Sequence, residues 1–178
     1  MARRILVIGL GRFGSALAES LAREGCEVVA IDNDMSHVDS IKAKVTYALE
    51  LDATDPLALR SIDPHTAAVA IVAVGENFEG AVLSVAALRE LGVQQIVARA
   101  ITPRHGRILL AAGANRVIEI ESEMGRALGR ELAHGSDPAL HMAAQAIAAS
   151  HSGPVIVPAG HPTPPPGPGG PPPGYKGG

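Results

Sequence analysis

Tryptophan is absent from this 178-residue chain, and its other rings amount to two Phe and two Tyr. A core must therefore be built from Val, Ile, Leu and Ala, and nearly half the residues are apolar enough to supply one. The same scarcity leaves no aromatic platform on which nucleobases could stack in a single-strand groove. The formal net charge of −3 gives no general attraction to phosphate backbones, so nucleic acid is not an expected partner. Cys26 is the single cysteine, which excludes an internal disulfide and suits a reducing compartment. It reads as a small apolar side chain near the start of a strand. Long hydrophobic runs are missing too. Ile5-Leu6-Val7-Ile8 is broken by Gly9, Gly11 and Arg12, far short of the ~20 residues of a membrane span. A soluble, cytoplasmic protein is expected.

What the chain does have is alternation. Short β-branched runs at Arg4–Ile8, Glu27–Ile31, Thr46–Leu51, Ala67–Ala73, Gln95–Ala98 and Arg116–Ile118 read as strands. Amphipathic stretches lie between them, clearest at Gly14–Glu24 and Glu79–Leu91. Gly25, Gly92 and Gly113 follow such stretches, where a helix end calls for positive φ. Strands alternating with helices predict an α/β fold: a doubly wound parallel six-stranded Rossmann sheet in the order 3-2-1-4-5-6. A last helix, Glu121–Ala133, has no strand after it. The expected organisation is a nucleotide-binding domain over residues 1–133, an Ala-rich helical extension over 134–151 with a helix at Pro138–Ala149, and a disordered Pro/Gly-rich tail over 152–178. Proline lacks the ladder N–H and glycine is too mobile for that tail to form a helix or central strand.

The turn Gly9-Leu10-Gly11-Arg12-Phe13-Gly14 follows an apolar strand and opens a helix, and an acidic residue lies about 20 positions further on. Gly9 permits the tight turn, Gly11 lets backbone N–H groups approach a diphosphate, and Gly14 allows close packing of the helix. The helix N-terminus adds free donors and the positive end of its dipole. Asp32 closes the second strand, where its carboxylate can accept both hydroxyls of a ribose and would repel a 2′-phosphate. Asp34 could serve the same region or cap the next helix.

Other stretches fall at strand ends on the ligand side of such a sheet. Asp52, Ala53 and Thr54 follow strand three; they could face adenine, or turn the chain ahead of the short helix after Asp55-Pro56. Ala73, Val74 and Gly75 follow strand four and leave room for a ribose and base. Arg99 ends strand five and is expected to point into the cleft near the phosphates.

No catalytic set is legible. His37, His65, His105, His134, His141, His151 and His161 are scattered, have no partner at metal-ligand spacing, and read as surface or cap residues. No Ser or Cys nucleophile has an identifiable base. A dehydrogenase needs a substrate domain with a general acid or base, and nothing long enough follows residue 133. The site thus reads as a sensor; an NAD-dependent oxidoreductase fragment is the enzyme alternative.

With the glycine turn, Asp32, Asp52-Ala53-Thr54, Arg99 and Gly113-Ala114-Asn115-Arg116-Val117-Ile118 in hand, residues 3 to about 133 resemble an RCK domain (regulator of K⁺ conductance). The likeness is to the nucleotide-binding subunits of Trk and Ktr potassium uptake systems. Gly-Leu-Gly-Arg-Phe-Gly has the family's form of the turn, and Glu121-Ser-Glu-Met-Gly125 matches the acidic-x-acidic-Met-Gly segment leading into its crossover helix. The resemblance implies a regulatory subunit, not an enzyme, lying at the inner face of the membrane. It implies dimers, assembled into an octameric ring beneath a membrane-embedded potassium channel or transporter, gated by ATP/ADP or NAD(H). It also implies that Arg12 reaches the terminal phosphates of ATP, in its own site or in a neighbouring subunit's. Glu121 would face its dimer mate and help hold Mg²⁺ or another cation, or would act only as a helix N-terminal acid. Two features depart from the family pattern. Leu51 stands where a Gly usually precedes the Asp-Ala pair, and no second lobe is recognisable after the crossover helix. The latter leaves a stand-alone nucleotide-binding regulator of another target as a further alternative.

Overall fold

The computed structural model describes residues 2–134, and the expected helix at Pro138–Ala149, the Pro/Gly tail and His141, His151 and His161 lie outside them. Six strands form one sheet: β1 (Arg4–Ile8), β2 (Glu27–Asp32), β3 (Tyr47–Glu50), β4 (Val69–Val72), β5 (Ile96–Arg99) and β6 (Arg116–Ile118). Their order is β3-β2-β1-β4-β5-β6 and every pairing is parallel, as the alternating pattern predicts. The helices are α1 (Arg12–Arg23), α2 (Met35–Ile41), α3 (Pro56–Arg60), α4 (Phe78–Glu90), α5 (Pro103–Ala112) and α6 (Ile120–His134), with a 3₁₀ turn at Pro64–Thr66.

The central strands are apolar at successive positions because both sheet faces are covered. Leu6, Ile8, Val29, Ile31, Ala70 and Val72 point to one side and pack with Val85 and Leu88 of α4 and Leu109 of α5. Ile5, Val7, Val28, Ala30 and Ile71 point to the other, against Ala18 of α1 and Val38 and Ile41 of α2. Cys26 is partly buried and packs against this second cluster. Leu109 is the one large side chain that α5 buries fully. Truncating it to Ala should cost about 2–5 kcal/mol, read as a lower urea midpoint with an unchanged slope.

Two strands are shorter than their apolar runs suggest. Ala67 and Ala73 flank β4 outside the strand itself, yet both are buried by packing from neighbouring segments. Hydrophobicity marks burial there, and ladder pairing stops sooner. Gly25, Gly92 and Gly113 have the positive φ that their helix ends require. Asp34 is the N-cap of α2, its carboxylate accepting the Ser36 N–H at 2.8 Å.

Candidate nucleotide site

Parallel strands carry their following loops to one edge of the sheet, so the segments after β1, β4, β5 and β6 are neighbours. The glycine turn occupies the centre of that edge. Gly9 has φ +90° and its N–H donates to the carbonyl of Ile31 at 2.8 Å, tying the turn to β2. A Cβ on Gly9 would come within 2.9 Å of both the backbone nitrogen and Cγ2 of Val74. A Cβ on Gly14 would overlap the Gly9 carbonyl oxygen and lie 3.2 Å from the Cβ of Ala73. Close packing at Gly14 is therefore against the turn itself and the end of β4. Gly11 is exposed, and a Cβ there would meet no atom within 4 Å.

Gly11 is the N-cap of α1 and makes no side-chain capping bond, and no acidic residue sits in the first turn. Ser15 closes the first turn to Gly11, while the Ser15 hydroxyl donates to the Leu10 carbonyl at 2.6 Å. The residues that open α1 thus present backbone donors to the open side of Gly11, as an anion would require. Phe13 turns inward instead and packs against the α1–α2 side of the core.

Asp32 is more committed to the fold than its position at a strand end suggests. Its Oδ2 accepts the Leu10 N–H at 2.5 Å and lies 3.3 Å from Nδ1 of His37. Its Oδ1 accepts the Asp34 N–H at 2.9 Å. The side chain is about nine-tenths buried, with 10% exposed. The carboxylate consequently braces the turn on which it was expected only to help seat a ligand. A carboxylate offers about four lone-pair sites, so acceptor capacity remains on its open side. His37 is exposed, as expected, and is also a partner of Asp32.

Asp52, Ala53 and Thr54 take the turn-forming arrangement. Asp52 Oδ1 accepts both the N–H and the hydroxyl of Thr54, at 2.9 and 2.7 Å. The Thr54 hydroxyl, and then its N–H, hold the Asp52 carboxyl below its ordinary pKa. Ala53 is buried within the core, and Asp55 caps α3 by accepting the Leu57 N–H at 2.8 Å.

On the other flank, Ala73, Val74 and Gly75 follow β4. A Cβ on Gly75 would be 2.6 Å from a terminal nitrogen of Arg99, so the missing side chain is what lets the guanidinium lie there. Arg99 pairs through its other terminal nitrogen with Glu121, the second residue of α6. Arg99 is 21% exposed and its Nε is buried without a hydrogen-bond acceptor. The Glu121 carboxyl is held below its ordinary pKa by its own backbone N–H, by the Arg99 hydrogen bond, and by the positive charges of Arg99 and Arg12. Among the described residues no group of three or more His, Cys, Asp or Glu is placed to hold a metal ion.

Two features of this edge went unread in the sequence. The Arg99–Glu121 pair follows from the β5–β6 register, which sets Arg99 beside Ile118, three positions before Glu121. The rings of Phe78 and His105 stack with centroids 3.9 Å apart and planes 18° from parallel. His105 is therefore half-buried between helices, not a surface or cap residue.

The pattern characteristic of the TrkA-N domain matches residues 5–120. The chain belongs to the TrkA-N family. It is 33% identical over 132 residues to Ktr system potassium uptake protein C of Bacillus subtilis, covering 74% of this chain and 60% of that protein. It thus spans about three-fifths of the relative's length. Among solved structures, the TrkA-N domain of the Escherichia coli inner membrane protein ybaL superposes with a TM-score of 0.66 at 26% identity, covering 74% of this chain and 98% of that one. The GsuK channel bound to NAD shares the TrkA-N fold at 23% identity and a TM-score of 0.61, over 72% of this chain and 23% of that one. GsuK has also been solved bound to ADP. No helix among the described residues of this TrkA-N domain is long and apolar enough to cross a membrane.

Proposed function

We propose that this TrkA-N domain is a nucleotide-sensing regulatory unit of a potassium transport system, acting at the cytoplasmic face of the membrane. The observation that carries the reading is the glycine turn, with uncapped backbone donors and Arg12 where its helix opens, and Arg99 across Gly75. That arrangement suits a ribonucleotide with two or more phosphates. The ligand class is ATP/ADP or NAD(H), with Asp32 facing the ribose and Ala73, Val74 and Gly75 leaving space beside it. The names of the relatives supply the transport context, and the NAD- and ADP-bound forms of GsuK support the ligand class.

The partner is a membrane-embedded potassium channel or transporter subunit, and the domain acts by binding, not by catalysis. A homodimer, assembling further to an octameric ring, accounts for α6. None of its residues is buried, and Met124, Leu128 and Leu132 recur at four-residue spacing with 45%, 46% and 79% of their surface exposed. Glu121 lies at the start of that helix, where a Mg²⁺ or other cation could join it from a dimer mate. A nucleotide biases such a ring by its differential affinity for two shapes, typically ~1–3 kcal/mol per coupled site.

Calorimetric titration with ATP, ADP, NADH and NAD⁺, with and without Mg²⁺, tests the ligand. At least one should bind about tenfold more tightly than the weakest, a difference of ~1.4 kcal/mol. Equal, weak binding of all four would remove the nucleotide as signal. Co-purification with a membrane potassium transporter tests the target, and a protein that never engages one would count against it.

A further inference from the structure

The carboxyl edge of the sheet carries an unbroken row of contacts from the glycine turn to α6. Gly9 abuts Val74, Gly75 accommodates the Arg99 guanidinium, and Arg99 pairs with Glu121. The Arg99 guanidinium that would receive a ligand's outer phosphates thus already faces a carboxylate. Arg99 is four-fifths buried and strands one donor, its Nε, without an acceptor, whereas Glu121 is 59% exposed and free to swing outward. A largely buried guanidinium needs a counter-charge, and the exposed partner is the one that can leave.

Resting on the nucleotide reading above, we propose that Glu121 is a specificity-determining residue that competes with ligand phosphates for Arg99. A monophosphate seated on the glycine turn leaves the Arg99–Glu121 pair in place. A longer phosphate chain reaches Arg99 only by displacing the carboxylate, or else suffers its repulsion. Glu121 therefore scales the affinity of the site to the number of phosphates, and the position of α6 becomes coupled to that number through the departure of its second residue from Arg99.

The test is Glu121→Gln, titrated with AMP, ADP and ATP in the presence of EDTA so that no divalent cation screens the pair. The variant keeps a hydrogen-bonding side chain of the same length and loses only the charge. The ratio of ATP to AMP affinity should rise about three- to tenfold, with ADP intermediate and AMP itself nearly unchanged. In an Arg99→Ala background the same substitution should alter the ratio by no more than about twofold, because the contested cation is gone. An unchanged or lowered ratio, with all three nucleotides still binding, would overturn the competition and leave the nucleotide site standing. Failure of both wild type and Glu121→Gln to bind any of the three would overturn the site and the competition together.

Discussion

Gly14→Ala is expected to lower stability by about 2–4 kcal/mol and to abolish nucleotide binding in whatever fraction remains folded. Alanine is normally the better helix former, by about 1 kcal/mol over glycine, so a mid-helix replacement would usually be neutral or helpful. Here the added methyl would overlap the carbonyl oxygen of Gly9. Neither atom can retreat by changing a rotamer, since one is backbone and the other a Cβ. Gly9 is itself held on three sides, by its N–H bond to Ile31, by Val74 and by a φ of +90°. Relief must therefore come from α1 lifting off the turn, which would misdirect the donors at its N-terminus. Thermal or urea unfolding followed by calorimetry with the wild-type ligand measures both effects. Gly11→Ala is the control: a Cβ there meets open space, so stability should hold within about 0.5 kcal/mol while ligand approach is hindered. If Gly14→Ala proves as stable as wild type, the turn is looser than its packing indicates.

The topology was legible because parallel strands buried on both faces announce themselves as short aliphatic runs, and the connections between them allow one handedness. The glycine turn was legible for a local reason: three glycines within six residues join an apolar strand to the start of a helix. The roles of side chains at strand ends were harder to read. Asp52 and Thr54 satisfy each other across two residues, an arrangement that sequence permits but cannot distinguish from ligand contact. Arg99 at the end of β5 meets Glu121 at the start of α6, and the β5–β6 register that brings them together rests on three residue pairs. The Phe78–His105 stack needs the start of α5 at Pro103, where the sequence shows Thr-Pro-Arg-His and little amphipathic pattern until Ile108. Asp32 is the instructive case. Its place at the end of β2 was clear, and its duty to the fold was not, because the Leu10 N–H it accepts lies 22 residues away.

That second duty changes what Asp32→Ala should do. A residue serving only a ribose could be truncated without cost to the fold, and affinity alone would fall. Here truncation strips the acceptor from the N–H groups of Leu10 and Asp34, and Leu10 is buried. Stability should drop by about 1–3 kcal/mol, the usual penalty for a buried donor left unpaired. Affinity for any ribonucleotide should fall about tenfold or more, since a hydrogen bond to a charged group is worth roughly 1.5–3 kcal/mol. The two losses separate in Asp32→Asn. The amide oxygen can still accept from Leu10, so most of the stability should return, while the amide nitrogen cannot accept a ribose hydroxyl and affinity should stay low. His37 gives a second handle: His37→Gln removes the imidazole beside Oδ2 without touching either backbone donor, and should leave stability near wild type. Full affinity in Asp32→Asn would mean that the ribose is held elsewhere and that this carboxylate serves the turn alone. Full stability in Asp32→Ala would mean the reverse, that the brace to Leu10 contributes nothing and the carboxylate is kept for its ligand.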